Sequence, residues 1–217
     1  MFVDKRMTPN PVTITPTTTV ADAMDLMRNN KIRRLPVIDH GNLVGIITDR
    51  DLREVSPSPA TTLSIFELNY LLAKMQIKDI MKKHVITITA DATIEEAALS
   101  MYNNRIGGLV VVDGNGKVAG VITETDLFKS FVDVMGLPEG KTRITIDVSD
   151  KIGVIHEVTG IFKDLGINIG SLVSYRLPNG TETKYELVIR ADVSDVDILT
   201  QKLNAAGYPV LHIVQIG

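Results

Sequence analysis

Cysteine and tryptophan are both absent from the 217 residues. Without cysteine there is no disulfide, no thiolate metal ligand and no cysteine nucleophile. The four histidines, His40, His84, His156 and His212, fall at no ligand spacing, so no metal centre is expected. Aromatic residues make up only 5% of the chain, which leaves aliphatic side chains to fill its cores. Neither sign of charge dominates: 23 basic against 26 acidic residues give a net charge of -3, whereas a nucleic-acid binder carries a basic face. No apolar run approaches the roughly 18 residues of a membrane-spanning helix. The opening Met1-Phe2-Val3-Asp4-Lys5-Arg6 meets charge too early for a signal peptide. These absences predict a soluble cytoplasmic protein with no metal, no membrane and no nucleic-acid partner, built as one large domain or two to three small ones.

What is present is a repeat. Residues 7–39 match residues 81–113, each lying 74 positions before its counterpart. The identities include Thr13/Thr87, Ile14/Ile88, Thr15/Thr89, Thr19/Thr93, Ala23/Ala97, Met27/Met101, Asn30/Asn104, Leu35/Leu109 and Val37/Val111. One inserted residue near Gly116 makes the spacing 75, and Gly45/Gly120, Thr48/Thr123 and Asp51/Asp126 then align. Self-similarity of this kind marks a duplicated unit. Each copy starts with a short β-rich segment (12–15; 86–89), and Thr19 or Thr93 is placed to cap the helix that follows. Ala23, Met24 and Met27, like Ala97, Ala98 and Met101, recur at helical spacing and read as core. Two apolar strands follow, at 35–38 and 43–47 in the first copy and 109–112 and 118–122 in the second. Asp39-His40-Gly41-Asn42 and Asp113-Gly114-Asn115-Gly116 supply the turns, and a second helix opens after Thr48 or Thr123.

Between the copies, Ser56-Pro57-Ser58-Pro59 is expected to be loop. Thr61 or Thr62 is then placed to cap a helix over 63–74, with Ile65, Leu68, Leu72 and Met75 as its apolar stripe. After a Gly/Pro linker the pattern changes. A strand over 143–148 puts Ile144, Ile146 and Val148 on one face, and Asp150 is placed to cap a helix over 153–165 that Gly166 stops. A strand at 167–175, a turn at Pro178-Asn179-Gly180, a strand at 182–191, a helix capped by Ser194 or Asp195 and a last strand at 208–216 complete the chain. The order β-α-β-β-α-β is ferredoxin-like.

Gly45-Ile46-Ile47-Thr48-Asp49-Arg50-Asp51 and Gly120-Val121-Ile122-Thr123-Glu124-Thr125-Asp126, together with Lys31-Ile32-Arg33-Arg34-Leu35-Pro36-Val37, resemble a pair of cystathionine-β-synthase (CBS) domains, a Bateman module. Asp150-Lys151-Ile152-Gly153-Val154-Ile155 followed by Gly166-Ile167-Asn168-Ile169 resembles an ACT domain. The insert Ser64-Ile65-Phe66-Glu67-Leu68-Asn69-Tyr70-Leu71-Leu72 is similar to that of acetoin-utilisation AcuB-type proteins. The expected fold is therefore α+β, a tandem CBS pair of β-α-β-β-α repeats followed by a ferredoxin-like ACT domain. The expected divisions are repeat 1 at 1–60, an inserted helix at 61–76, repeat 2 at 77–135, a linker at 136–141 and the ACT-like domain at 142–217. Together these modules leave no room for a catalytic domain.

A carboxylate three residues after a threonine at a strand-to-helix junction suits the hydroxyls of a ribose, while the helix start suits phosphate. The competing reading of Thr48-x-x-Asp51 and Thr123-x-x-Asp126 is a plain helix start favoured by the dipole. Arg33-Arg34 corresponds to Gly107-Gly108 in the second copy, and guanidinium groups there suit phosphate. The CBS resemblance implies a regulatory adenine ligand (AMP, ADP, ATP or S-adenosylmethionine) held by Val12, Thr13, Arg33, Arg34, Pro36, Thr48, Asp51, Ile86, Thr87, Gly108, Thr123 and Asp126. The ACT resemblance implies an amino acid or other small metabolite at Asp150, Gly153, Val154, Ile155, Asn168 and Ile169.

The acid pairs Asp49/Asp51 and Glu95/Glu96 are joined by no nucleophile or oxyanion donors, and His156 reads as a structural histidine of the ACT-like helix. The expected function is a non-enzymatic sensor, a homodimer or larger, acting on a regulated enzyme partner in acetoin catabolism. The alternative is an ACT-based amino-acid sensor in which the CBS pair is a dimerisation scaffold.

Overall fold

Thr19 and Thr93 open the two matched helices, α1 (Val20–Asn30) and α4 (Ile94–Asn104), in the computed structural model of the protein. Each hydroxyl accepts the amide of Asp22 or Glu96 and so pairs one of the donors that a helix start leaves orphaned. The structure describes residues 1–55, 65–137, 141–176 and 184–215. It divides into two compact units, Met1–Leu127 and Phe128–Gly217.

In the first unit each helix leads into an antiparallel hairpin: β2 (Arg34–Asp39) with β3 (Asn42–Thr48), and β5 (Gly108–Val112) with β6 (Val118–Thr123). The first turn puts His40 and Gly41 at φ 47° and 81°, the positive pair that a two-residue hairpin loop requires. Helices α2 (Asp49–Val55) and α5 (Glu124–Val134) follow, and the division between the units falls within α5. The short strand β4 (Thr87–Thr89) runs parallel to β5, whereas its counterpart in repeat 1 is reduced to a single bridge from Ile14 to Val37. Met27 and Met101, read as core, are buried. Helix α3 (Ile65–Lys74) matches the expected insert helix over its described part, and Leu72 and Met75 pack on the repeat 1 core. The Ser/Pro loop at 56–59 and the Thr61 or Thr62 cap lie outside the described residues.

The segment leading into each repeat packs on the other one. Strand β1 (Thr8–Pro9) pairs with β6, and Val3 is buried in the core of repeat 2 beside Leu109 and Ile122. The amides of Val3 and Asp4 donate to the carbonyls of Ala92 and Ala90. In the mirrored arrangement Lys82 bridges Ile46, Ile77 is buried in the core of repeat 1, and the Ile77 and Lys78 amides donate to Thr18 and Pro16. This crossing explains the glycine of the Gly-x-x-Thr-x-x-Asp stretches. A Cβ on Gly45 would lie 2.6 Å from the Met81 sulfur, and one on Gly120 would lie 2.5 Å from that of Met7. Both methionines belong to the crossing segments.

The second unit carries β7 (Thr142–Ser149), α6 (Val154–Asp164), β8 (Ile169–Arg176), β9 (Lys184–Ala191), α7 (Val196–Ala205) and β10 (Val210–Gln215). All neighbours in the sheet order β10-β7-β9-β8 are antiparallel, which is the ferredoxin-like arrangement the sequence predicts. Ile144, Ile146 and Val148 face Val158 and Phe162 of α6 and Leu199 and Leu203 of α7 in one buried core. Asp195 caps α7 by accepting the Ile198 amide. Two expectations fail here. Asp150 does not cap α6; that helix starts from Gly153, whose φ of 90° turns the chain with no side-chain cap. His156 is exposed, because the inward stripe of α6 runs through Val154, Val158, Ile161 and Phe162. The turn at 178–180 lies outside the described residues, and among the described residues no helix is long and apolar enough to cross a membrane.

Candidate functional site

Because the lead segments cross over, two cavities in the first unit are each assembled from both repeats. One, of about 390 Å³, is lined by Thr8, Asn10, Pro11 and Val12 of the first lead segment and by Lys31, Ile32, Arg33 and Arg34 at the exit of α1. Val121, Thr123 and Thr125 of repeat 2 close it. The other, of about 280 Å³, is lined by Lys82, His84, Val85 and Ile86, by Arg105, Ile106, Gly107 and Gly108, and by Ile46, Thr48, Asp49 and Arg50 of repeat 1. Most of these are the duplicated counterparts of the first set; Asn30 lines only the larger cavity and Asp49 only the smaller, without their counterparts, and Arg34 lines both. The larger volume sits at the lower end of the range that small-molecule sites occupy, roughly 300–1,000 Å³.

Of the residues expected from sequence, Val12, Arg33, Arg34 and Thr123 line the larger cavity, and Thr48, Ile86, Gly108 and Arg34 line the smaller. Thr13, Pro36 and Thr87 line neither. Asp51 and Asp126 stand just behind their threonines. Asp51 Oδ2 accepts the Thr48 amide at 2.9 Å and its hydroxyl at 2.5 Å, and Asp126 Oδ2 accepts those of Thr123 at 2.8 and 2.7 Å. Both therefore act as helix-start acceptors. They differ in surroundings: Asp51 is buried, at 7% exposure, and its Oδ1 is 2.8 Å from the Lys82 ammonium, while Asp126 is half-buried. Burial alone pushes the Asp51 carboxyl up, but hydrogen bonds from Lys82 and Thr48 outweigh it and hold the group below its ordinary value.

Arg34 begins β2 opposite Thr48, and its guanidinium lies against the bare backbone of repeat 2. A Cβ on Gly108 would stand 2.6 Å from Arg34 Cζ, and one on Gly107 would stand 3.3 Å from its Nη2. Burial and the neighbouring Arg33 lower the Arg34 pKa, and the carboxylates of Glu124, Asp49 and Asp126 oppose that shift. An arginine remains a cation under such shifts.

Sequence reasoning missed the lead-segment residues Thr8, Asn10, Lys82 and His84, and Lys31 with its counterpart Arg105. The signal was available: the 74-residue spacing extends upstream to Val3/Ile77, ahead of the first matched pair used above.

In the second unit, Gly153 is left-handed with nothing within 4 Å of a would-be Cβ, and Asp150 and Ile155 beside it are exposed. Asn168 is exposed too, but the structure does not bring it to them: Ile169 stands opposite Ala191 at the Thr142 end of the sheet, whereas Asp150 and Gly153 follow Ser149 at the other end, opposite Lys184. Val154 and Ile169 instead pack against the core.

The family model described as the CBS domain matches residues 3–58 and 77–133, and that of the ACT domain matches residues 142–207. Among solved structures, the chain is similar to the CBS domain pair of protein MJ0100 in complex with 5′-methylthioadenosine and S-adenosyl-L-methionine. That match is 28% identical with a TM-score of 0.51, covering 61% of this chain and 97% of the other. It is similar to CBSX2 in complex with AMP, at 29% identity and a TM-score of 0.51, over 61% of this chain and 97% of the other. A Vibrio cholerae protein assigned to acetoin utilisation (AcuB) matches at 28% identity and a TM-score of 0.52, over 64% of this chain and 96% of the other.

Proposed function

The chain belongs to the CBS-domain family and carries a C-terminal ACT domain, and from that premise we propose that it is a non-enzymatic regulator that binds an adenine nucleotide or adenosyl ligand in its CBS pair. The observation that carries this reading is the composition of the larger cavity. Lys31, Arg33 and Arg34 converge there with Thr123 and Thr125 across a wall of Pro11, Val12, Ile32 and Val121. An adenine base suits that apolar wall. The guanidinium groups of Arg33 and Arg34 suit the phosphate, which they can grip bidentately. The Asp126 carboxylate behind Thr123 is the acceptor for ribose hydroxyls, for which it can supply several lone pairs. The complexes of similar CBS pairs with AMP and with S-adenosyl-L-methionine support the ligand class.

A thermal-shift panel of AMP, ADP, ATP and S-adenosylmethionine tests the reading. At 100 times its Kd a ligand stabilises the protein by about 2.7 kcal/mol, which raises Tm by about 5–10 °C for a chain of this size. Asp126→Ala should remove most of that shift. If no adenosine compound moves Tm at millimolar concentration, the reading is wrong.

Regulation requires something to regulate. The AcuB likeness supports acetoin catabolism and an enzyme partner there. The assembly is a homodimer or larger: Leu99 and Tyr102 of α4 are 59% and 82% exposed, and Ile152, within the Asp150–Ile155 stretch proposed for an ACT ligand, is 99% exposed. Apolar surface of this kind is covered in an oligomer. Light scattering should give at least twice the 23.7 kDa chain mass, and a clean monomer would contradict it.

A further inference from the structure

Duplication should have put two pairs of arginines where the repeats meet, and the chain has one pair. Arg34 corresponds to Gly108, and Arg33 to Gly107. The missing side chains are what allow Arg34 to lie over the repeat 2 backbone, since a Cβ on Gly108 would come within 2.6 Å of Arg34 Cζ and 2.8 Å of the Ile122 carbonyl. The same guanidinium lines both crossed cavities.

We infer that Arg34 is a single phosphate-binding group shared by the two cavities, so that a phosphate-bearing nucleotide in one weakens binding of a second in the other. This rests on the nucleotide reading above and adds how the two sites communicate. Three observations support it. Arg33 lines only the larger cavity, next to Arg34, whereas in the smaller one Arg105 answers Lys31 and Arg50 is paired with Glu54 at 3.2 Å, so the larger side has the extra cation beside Arg34 and the first claim on the anion. In the smaller cavity Lys82 is already committed to Asp51 at 2.8 Å, so the cation beside the threonine there has a resident partner. Arg34 is flanked by Glu124, Asp49 and Asp126, acids that resist a second phosphate once its positive charge has been neutralised by the first. The coupling is electrostatic and acts on phosphate. An uncharged adenosine should fill both cavities independently.

Calorimetric titration of the full chain with AMP and with adenosine decides the matter. For the wild type, AMP should fill one site per chain, with the second at least tenfold weaker, inside the usual 5–150-fold range of coupling between sites. Adenosine should fill two sites whose Kd values agree within threefold. In Arg33→Gly, which removes the guanidinium that only the larger cavity has, the split should persist because Arg34 is still shared. Adding Arg34→Ala should weaken AMP further and bring its two sites within threefold of each other, while adenosine binding by the double variant reports that the pair is folded. Arg34→Lys should keep the split in part. Two equal AMP sites in the wild type, a tenfold split that survives removal of both Arg33 and Arg34, or adenosine at one site only would each overturn the sharing. If neither compound binds, the nucleotide reading itself falls and takes the sharing with it.

Discussion

Thr8 and Lys82 occupy the same place in the two halves of the first unit and do different things there. Both pair with the third strand of the opposite repeat, Thr8 with Val121 and Lys82 with Ile46. Lys82 reaches the carboxylate behind the facing threonine, and Thr8 leaves that space to the larger cavity. Arg33 and Arg34 against Gly107 and Gly108 repeat the lesson. Positions that build the backbone framework, the threonine caps, the motif glycines and the buried aliphatic residues, are held alike in both halves. Several positions that face the cavities, Thr8/Lys82, Arg33/Gly107 and Thr125/Arg50 among them, have diverged in charge. Duplication supplied one scaffold twice, and the chemistry became asymmetric on it.

The comparison breaks most visibly at Arg33. Arg33→Gly makes repeat 1 copy repeat 2, and loss of a charge-assisted phosphate contact costs about 1.5–3 kcal/mol, or about 10- to 150-fold in AMP affinity. Adenosine should be nearly unaffected. Equal loss for both ligands in a calorimetric comparison would mean that Arg33 shapes the fold.

Next in size is the crossing itself. Gly45→Val and Gly120→Val each push a side chain into the methionine of the crossing segment and the backbone oxygen beside it, at 3.1 Å for Lys82 and 2.9 Å for Thr8. Overpacking of this kind costs about 1–3 kcal/mol, a fall of about 3–10 °C in Tm for a chain of this length. Gly114→Ala, with open space around it, is the control and should change Tm little. Equal effects at Gly45 and Gly114 would refute the crossed packing.

A smaller difference separates Asp51 from Asp126. Asp51→Asn keeps a hydrogen-bond acceptor and loses the charge that pairs with Lys82, which is 62% exposed and so contributes little by itself. The cost should be about 1 kcal/mol. The folded-state pKa of Asp51 is depressed, so its contribution is fully present above the unfolded value of about 3.9 and is lost as pH falls through the folded value. Denaturant curves of wild type and Asp51→Asn should thus stay apart from pH 5 to 8 and converge in acid below pH 4. A gap that widens in acid would reverse the sign.

The smallest effect concerns the caps. Thr19→Ala and Thr93→Ala should each cost about 1 kcal/mol. Thr93→Ala should cost a few tenths more, because Glu96 bonds back to the Thr93 amide in a capping box, whereas the Asp22 carboxylate accepts the Thr19 hydroxyl. Circular-dichroism melts would resolve the order, and a larger loss at Thr19 would contradict it.

Much of the fold was legible because its signals are local. A threonine before a helical stripe, a glycine-rich turn and an alternating strand are each read within a few residues, and the duplication doubled every one of them. The crossing was not legible by those means. Strand β1 pairs with β6 more than a hundred residues away, and a two-residue strand has no periodicity to read. Its trace in the sequence was the 74-residue spacing carried into the lead segments, at Val3/Ile77 and Met7/Met81. The cavities inherited that difficulty: Arg33, Arg34 and Thr123 were picked out from motifs, but that they share one cavity follows from the crossing. Asp150 misled because an acid before a helix is the usual cap, while here Gly153 turns the chain sharply enough to start α6 unaided.

The most direct test of the account is the crystal structure of the protein grown with AMP. The crossed assembly predicts the nucleotide in the larger cavity, its phosphate on Arg33 and Arg34 of repeat 1 and its ribose toward Thr123 and Asp126 of repeat 2. A nucleotide held by the residues of one repeat alone, or bound outside both cavities, would contradict it.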